Sequence, residues 1–336
     1  MNDEYIFDFT NKKVDWKIFE VNLSNPVSPP EVLLYQTDSE IPMLHRRNIS
    51  IVGAHAIVGK TFLISAIACA VLGDDGFLNM HSSENGLKVL FVDTEQDISD
   101  TQEVLKRIHR CNNWETTKNN PTIITLNLRE ASLKERPEII ELAIKANKPD
   151  LVLLDGIVDL VSNFNDIENS QKSVEMLTRW TTEYDCHIVT CLHINKGNAE
   201  LRGHLGAFLK QKGELTLQLN KKDGYIEVVV IDSRHKPIED FYFQINNKGL
   251  PEIFTPESKK PSEEKLKILF NEILASNQPI SYKELTEKVK AKSKVRQSMS
   301  EKKVSSALKL GIIKKNEQGH YHLPTLSAEQ TEMFLD

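Results

Sequence analysis

The chain contains no long hydrophobic run. Its longest apolar stretch, Phe62–Leu72, is too short to cross a bilayer, which takes about 20 apolar residues. The N-terminus reads Met-Asn-Asp-Glu, acidic where a secretory signal would be basic and then apolar, so a cytoplasmic protein with no membrane partner is expected. Cysteine is scarce: only Cys69, Cys111, Cys186 and Cys191 occur, and no pair has C-x-x-C spacing. Three of them lie in apolar or helical runs, which predicts buried reduced thiols rather than a metal site or disulfides. The 336 residues, 40% hydrophobic and 27% charged, suit a globular protein with room for a large domain and a smaller one.

Charge is unevenly spread. Residues 258–324 hold 15 Lys/Arg against 7 Asp/Glu, a surplus of eight positive charges in a chain of net charge −6, so the remainder carries −14. A basic C-terminal module on an acidic body suggests that the module meets a polyanion, with a solvated lysine surface as the alternative.

Residues 1–40 read as an irregular arm, with Pro26, Pro29 and Pro30 breaking regular structure. From 41 to 254 strand-like runs (88–93, 122–126, 151–154, 187–192) alternate with helical ones (100–110, 137–146, 171–183). That alternation predicts an α/β fold of βαβ units around a parallel sheet. Residues 214–219, 225–232 and 241–245 follow as an antiparallel meander turning at Asp223-Gly224. The polar, proline-bearing stretch 255–262 is a linker to a module at 263–324, and 325–336 is a tail.

The strongest motif is Ile51-Val-Gly53-Ala54-His55-Ala56-Ile57-Val58-Gly59-Lys60-Thr61-Phe62, between a strand-like run and a helical one. A glycine-rich turn there leaves backbone N–H groups free to surround phosphate oxygens, and the helix N-terminus adds a favourable field. Residues 53–62 are therefore the candidate cradle for ATP. Lys60 would reach the β- and γ-phosphates, and the Thr61 hydroxyl would ligate Mg²⁺. The strict pattern lacks its first glycine, replaced by Ala54.

Such a loop needs a carboxylate on a neighbouring strand for Mg²⁺, and Leu151-Val-Leu-Leu-Asp155 supplies one. Many ATPases carry a water-activating Glu straight after this Asp; here the residue is Gly156. The run Val89-Leu-Phe-Val-Asp93-Thr-Glu95 ends a second strand in acids, on the edge where parallel sheets collect ligands. Glu95 is the candidate base, with Asp93 and Asp97 as alternatives.

Together these motifs resemble the RecA-type ATPase core, especially the hexameric helicase branch of DnaB and plasmid RepA, over about residues 30–250. The resemblance implies several further roles. His193, at the end of His187-Ile-Val-Thr-Cys-Leu-His193, would sense the γ-phosphate. Asn195–Gly206 would face single-stranded DNA in a ring channel, with Lys196 and Arg202 as contacts. Arg234 and Lys236, just past the strand 225–232, would reach the ATP of a neighbouring subunit, although the family order is Lys-x-Arg. A homo-oligomer, a hexamer, is implied.

Residues 263–324 read as three helices (263–276, 281–291, 300–310) and a hairpin around Asn316–Gly319, resembling a winged helix-turn-helix. Lys302, Lys303 and Lys309, with Ser305 and Ser306, would lie on the exposed face of the third helix and Lys314 and Lys315 on the wing, in contact with duplex DNA phosphates. A protein-docking winged helix is the alternative. The expected function is an ATP-hydrolysing DNA motor, a RepA-like replicative helicase or a mobilisation ATPase of a mobile element. The rivals are an ATP-gated DNA loader, regulator or recombination factor, and a small-molecule P-loop kinase.

Overall fold

A computed structural model describes residues 16–37, 39–195, 200–256, 263–275, 278–293, 295 and 297–324. Residues 1–31 and 32–336 form separate units, and a short 3-10 helix, Trp16–Phe19, lies in the first. Along the second run β1 (Val32–Gln36), β2 (Ile41–His45), β3 (Ile49–Ala54), α1 (Lys60–Leu72), β4 (Met80–Ser82), β5 (Val89–Asp93), α2 (Ile98–Cys111) and β6 (Ile123–Asn127). Next come α3 (Glu135–Asn147), β7 (Leu151–Asp155), α4 (Ile167–Glu183), β8 (His187–His193), α5 (Gly203–Lys212), β9 (Leu215–Lys221), β10 (Ile226–Ser233), β11 (Phe241–Ile245) and β12 (Pro251–Ile253). The chain closes with α6 (Glu263–Ile273), α7 (Tyr282–Ser293), α8 (Gln297–Lys309), β13 (Lys314–Lys315) and β14 (Tyr321–His322).

The large sheet has the order β12-β11-β10-β9-β3-β8-β7-β5-β6. From β9 to β6 every pairing is parallel, and β10, β11 and β12 extend the β9 side antiparallel. Parallel strands buried on both faces read as continuous apolar runs, and alternate residues serve opposite faces. Phe91, Leu153 and Val189 pack with α1 and α2, whereas Leu90, Val92, Val152, Leu154 and Ile188 pack with α3, α4 and α5. Helix α1 is apolar all round and buried continuously from Leu63 to Val71, as expected of a helix walled in on every side.

Two sequence expectations differ from what is seen. Strand β1 lies inside the segment expected to be an irregular arm. The prolines at 26–30 end before it, and Leu33 and Leu34 are fully buried where β1 pairs antiparallel with β2 and β4. Helix α5 begins within the segment read as a loop, 195–206. Its Gly206 suggests a loop but serves close packing: a Cβ there would stand 2.6 Å from the Leu201 Cβ.

In the C-terminal region α6, α7 and α8 enclose Leu266, Phe270, Leu285, Val289, Val304 and Ala307, joined by Ile312, Ile313 and Tyr321. Ser281 Oγ accepts from Glu284 N–H (3.3 Å), opening α7 as its capping pattern predicts. The two-residue strands β13 and β14 pair antiparallel, and Ile280 bridges to Tyr321.

Candidate active site

The loop between β3 and α1 sits where the parallel strands end. Its residues His55, Ala56 and Ile57 are exposed, Val58 is buried, and Gly59–Phe62 are half-buried. Gly59 adopts φ +112, a left-handed conformation that favours glycine, and starts α1 through Leu63 N–H to its carbonyl (3.1 Å). Gly53 and Ala54 end β3 against tight neighbours. A Cβ on Gly53 would meet Leu201 Cδ2 at 2.8 Å, and Ala54 is fully buried.

Strand order then gathers the other candidates. β8 lies between β3 and β7, and Ala54 is in register with His193. Lys60 Nζ stands 3.3 Å from His193 Nδ1. Burial first and the Lys60 charge second hold the His193 imidazole below its ordinary pKa, so the neutral ring accepts from the ammonium. Thr61 Oγ1 donates to Asp155 Oδ2 at 2.6 Å. Asp155, 5% exposed, is pushed above the usual carboxylate range by burial and then by Asp93, with the Thr61 hydrogen bond and Lys60 opposing.

The three neighbouring acids do different things. Asp93 is wholly buried, and its carboxylate accepts from Glu95 N–H, Gln96 N–H, Gln96 Nε2 and Thr101 Oγ1. That occupation makes it the brace of the turn. Asp97 caps α2, accepting from Ser99 N–H at 3.0 Å. Glu95 is exposed beyond the end of β5. Burial raises its carboxyl above the usual range, Asp155 and then Asp159 add to the effect, and Lys60 opposes it.

Gly156 explains the missing Glu. It has φ +106, and a Cβ there would lie 2.3 Å from Thr94 Oγ1 and 3.1 Å from Glu95 Oε1. The Glu95 carboxylate thus lies against residue 156, the position that carries the acid in many ATPases. Thr94 and Asp159 escaped the sequence reading. Thr94 Oγ1 reaches Asp159 Oδ2 (2.9 Å) and Gly156 O (3.0 Å), joining the β5 tip to the turn after β7. The signal available for Asp159 was a second acid four residues after Asp155.

The remaining cations lie elsewhere. Lys196 falls outside the described residues. Arg202 is the N-cap of α5, with its guanidinium 4.7 Å from the Phe164 ring centroid. β10 runs antiparallel to β9: Leu219 is level with Ala54, whereas Ser233 is level with Leu215. Arg234 and Lys236 therefore follow the end of β10 on the edge opposite the phosphate loop. Arg234 donates through Nε to Gly213 O (3.0 Å) and through Nη2 to Gln211 O (2.6 Å), closing the C-terminus of α5. Lys236 is exposed. Lys302, Lys309, Lys314 and Lys315 are exposed and Lys303 is half-buried.

A parallel sheet with this loop, Lys60-Thr61 and a strand-end Asp155 defines a P-loop ATPase. The chain belongs to the AAA domain family, whose model matches residues 23–199, just over half of its length. Membership implies nucleotide binding, usually with Mg²⁺, and nucleotide hydrolysis. The match contains Lys60, Thr61, Glu95, Asp155 and His193 and ends before Arg202, Arg234, Lys236 and the C-terminal lysines. No curated protein matches the chain. Among the described residues no helix is long and apolar enough to cross a membrane.

Proposed function

We propose that this protein is a RecA-like, ATP-driven DNA motor, a RepA-like helicase or mobilisation ATPase that works as a homo-hexamer. The observation that carries the reading is the convergence of Lys60, Thr61, Glu95, Asp155 and His193 at one sheet edge, with Glu95 lying against Gly156. The residues fit a Mg²⁺-nucleotide. A buried carboxylate already accepts a hydrogen bond from the Thr61 hydroxyl, and an exposed backbone turn precedes a helix N-terminus. Thr61 and Asp155 would hold Mg²⁺, which would supply charge neutralisation at the phosphates.

Each side chain then has a separable task. Loop residues 53–62 hold the triphosphate, and the Lys60 ammonium offsets negative charge on its terminal oxygens. Glu95 orients the attacking water and takes its proton, and its raised pKa makes it a stronger base than an ordinary carboxylate. The neutral His193, hydrogen-bonded to Lys60, reports the terminal phosphate to the segment that follows β8, where Lys196 and Arg202 face single-stranded DNA. Lys236 is the better candidate to act across a subunit boundary, because the Arg234 guanidinium is engaged on the end of α5. Helices α6–α8 with β13 and β14 form a winged helix-turn-helix whose Lys302, Lys303, Lys309, Lys314 and Lys315 meet duplex phosphates.

The test is ATP hydrolysis and strand displacement by the full chain, with and without single-stranded DNA. DNA-stimulated hydrolysis with displacement, both abolished in Lys60→Ala, is expected. Hydrolysis and DNA binding without displacement would instead favour the ATP-gated loader or regulator.

A further inference from the structure

On the edge of the sheet opposite the phosphate loop, three side chains converge that the ATPase does not use. His45 ends β2, Glu214 immediately precedes β9, and His235 lies two residues past the end of β10. Their ligand atoms all lie within 4.8 Å of one another. Glu214 is 2% exposed, so its carboxylate has little access to water. Glu214 Oε1 faces both imidazoles: His45 Nδ1 is in direct contact, and His235 Nε2 is 3.3 Å away.

The geometry points to a divalent transition-metal site formed by His45 Nδ1, the Glu214 carboxylate and His235 Nε2, of the Zn²⁺ class. Imidazole and carboxylate are the donors this class takes, and three protein ligands leave a fourth position for water. With bonds of about 2.1 Å, a tetrahedral ion separates its ligands by about 3.4 Å, close to the Glu214–His235 distance of 3.3 Å. The His45 and His235 ligand atoms lie within 4.8 Å of each other, and His45 Nδ1 would have to move back from Glu214 Oε1 to make room for the ion.

The surroundings hold Glu214 in place, as the outer partners of a metal-binding carboxylate do. Glu214 Oε2 accepts from the His45 backbone N–H (3.1 Å). The wholly buried His187 stands 3.7 Å from the same oxygen and is fixed by the His45 carbonyl and Ser50 Oγ. The Glu214 backbone is tied to Ile49 O and to Arg234 N–H. The His45 and His235 rings are 4.5 Å apart, centroid to centroid. An ion here would staple the end of β2, the start of β9 and the segment Arg234–Lys236 together.

Full-length protein stripped with a chelator and then titrated with Zn²⁺ by calorimetry should bind one equivalent per chain. Co²⁺ should give the visible absorption of a four-coordinate ion. His235→Ala, on the exposed side, should weaken binding at least 10-fold without unfolding the protein, and His45→Gln should do the same. His204→Ala, an exposed histidine at the start of α5, should leave binding unchanged. No stoichiometric binding, or wild-type affinity in His235→Ala, would overturn the site and leave a carboxylate shared between two imidazoles. The titration does not involve nucleotide, so its failure is distinct from failure of the ATPase reading.

Discussion

The Thr61 hydroxyl donates to the Asp155 carboxylate at 2.6 Å across 94 residues of sequence. This bond fastens the first turn of α1 to the end of β7 and joins the two groups that would hold Mg²⁺. It opposes, without cancelling, the burial and the Asp93 charge that raise the Asp155 pKa.

That imbalance fixes a sign. An acid whose pKa is raised in the folded state contributes stability below its ordinary value, about 3.9 for Asp, and loses it as pH rises through the folded value. Asp155→Asn should therefore raise the Tm of the nucleotide-free protein at pH 7, with the gain fading below about pH 4. The same variant should lose Mg²⁺-dependent stabilisation by nucleotide. Thermal melts across pH, with and without Mg²⁺-nucleotide, check both; an unchanged Mg²⁺ response would remove Asp155 from the metal role.

Glu95→Gln should retain nucleotide binding and lose roughly 10²–10⁴-fold in kcat, the span expected for a general base. Because Glu95 must ionise to act, the acid limb of the wild-type rate profile should lie above the ordinary carboxylate range. Asp159→Asn removes a neighbouring negative charge and should move that limb to lower pH. A limb that stays put in Asp159→Asn, or normal turnover in Glu95→Gln, would assign the base elsewhere.

Gly156→Ala places a methyl 2.3 Å from Thr94 Oγ1 at a backbone φ of +106. It should cost about 1–3 kcal/mol of stability and depress hydrolysis by displacing Thr94 and Glu95. Gly224→Ala, at φ +81 in open space, serves as the control. Its cost should stay near 1 kcal/mol, with hydrolysis intact. Denaturant unfolding and steady-state rates measure both.

Arg234 and Lys236 should separate. Arg234→Ala uncaps α5 and should lower the Tm. Lys236→Ala should leave the Tm unchanged and lower hydrolysis. Mixing Lys236→Ala with Lys60→Ala subunits should recover part of the activity, since some mixed interfaces pair an intact loop with an intact cation. No recovery in preparations shown to co-assemble would place Lys236 outside the reaction.

Much of the fold was legible because each parallel strand is a short apolar run with punctuation at its end. Leu151–Asp155 and Val89–Asp93 announce both their burial and the edge where their acids emerge. The Gly59-Lys60-Thr61 turn marked the loop despite Ala54. Helix α5 was harder: Leu205 and Leu209 are its only buried apolar side chains, and its glycines look like a loop until Leu201 is seen pressed against Gly206. Asp93, Glu95 and Asp97 carry the same charge within five residues, so only strand phase and cap geometry tell brace from base from cap. The engagement of Arg234 on Gln211 and Gly213 depends on where β10 returns, which no local pattern records.

Helix α1 carries Lys60 and Thr61 and is buried on all sides from Leu63 to Val71. A close-packed element of that kind does not shift without opening voids on several faces at once. It acts as a stator. Any motion driven by gain or loss of the terminal phosphate must be taken up by the strand tips around it. The tips that would face that phosphate are those of β5 and β8, which end next to Thr94-Glu95 and at His193.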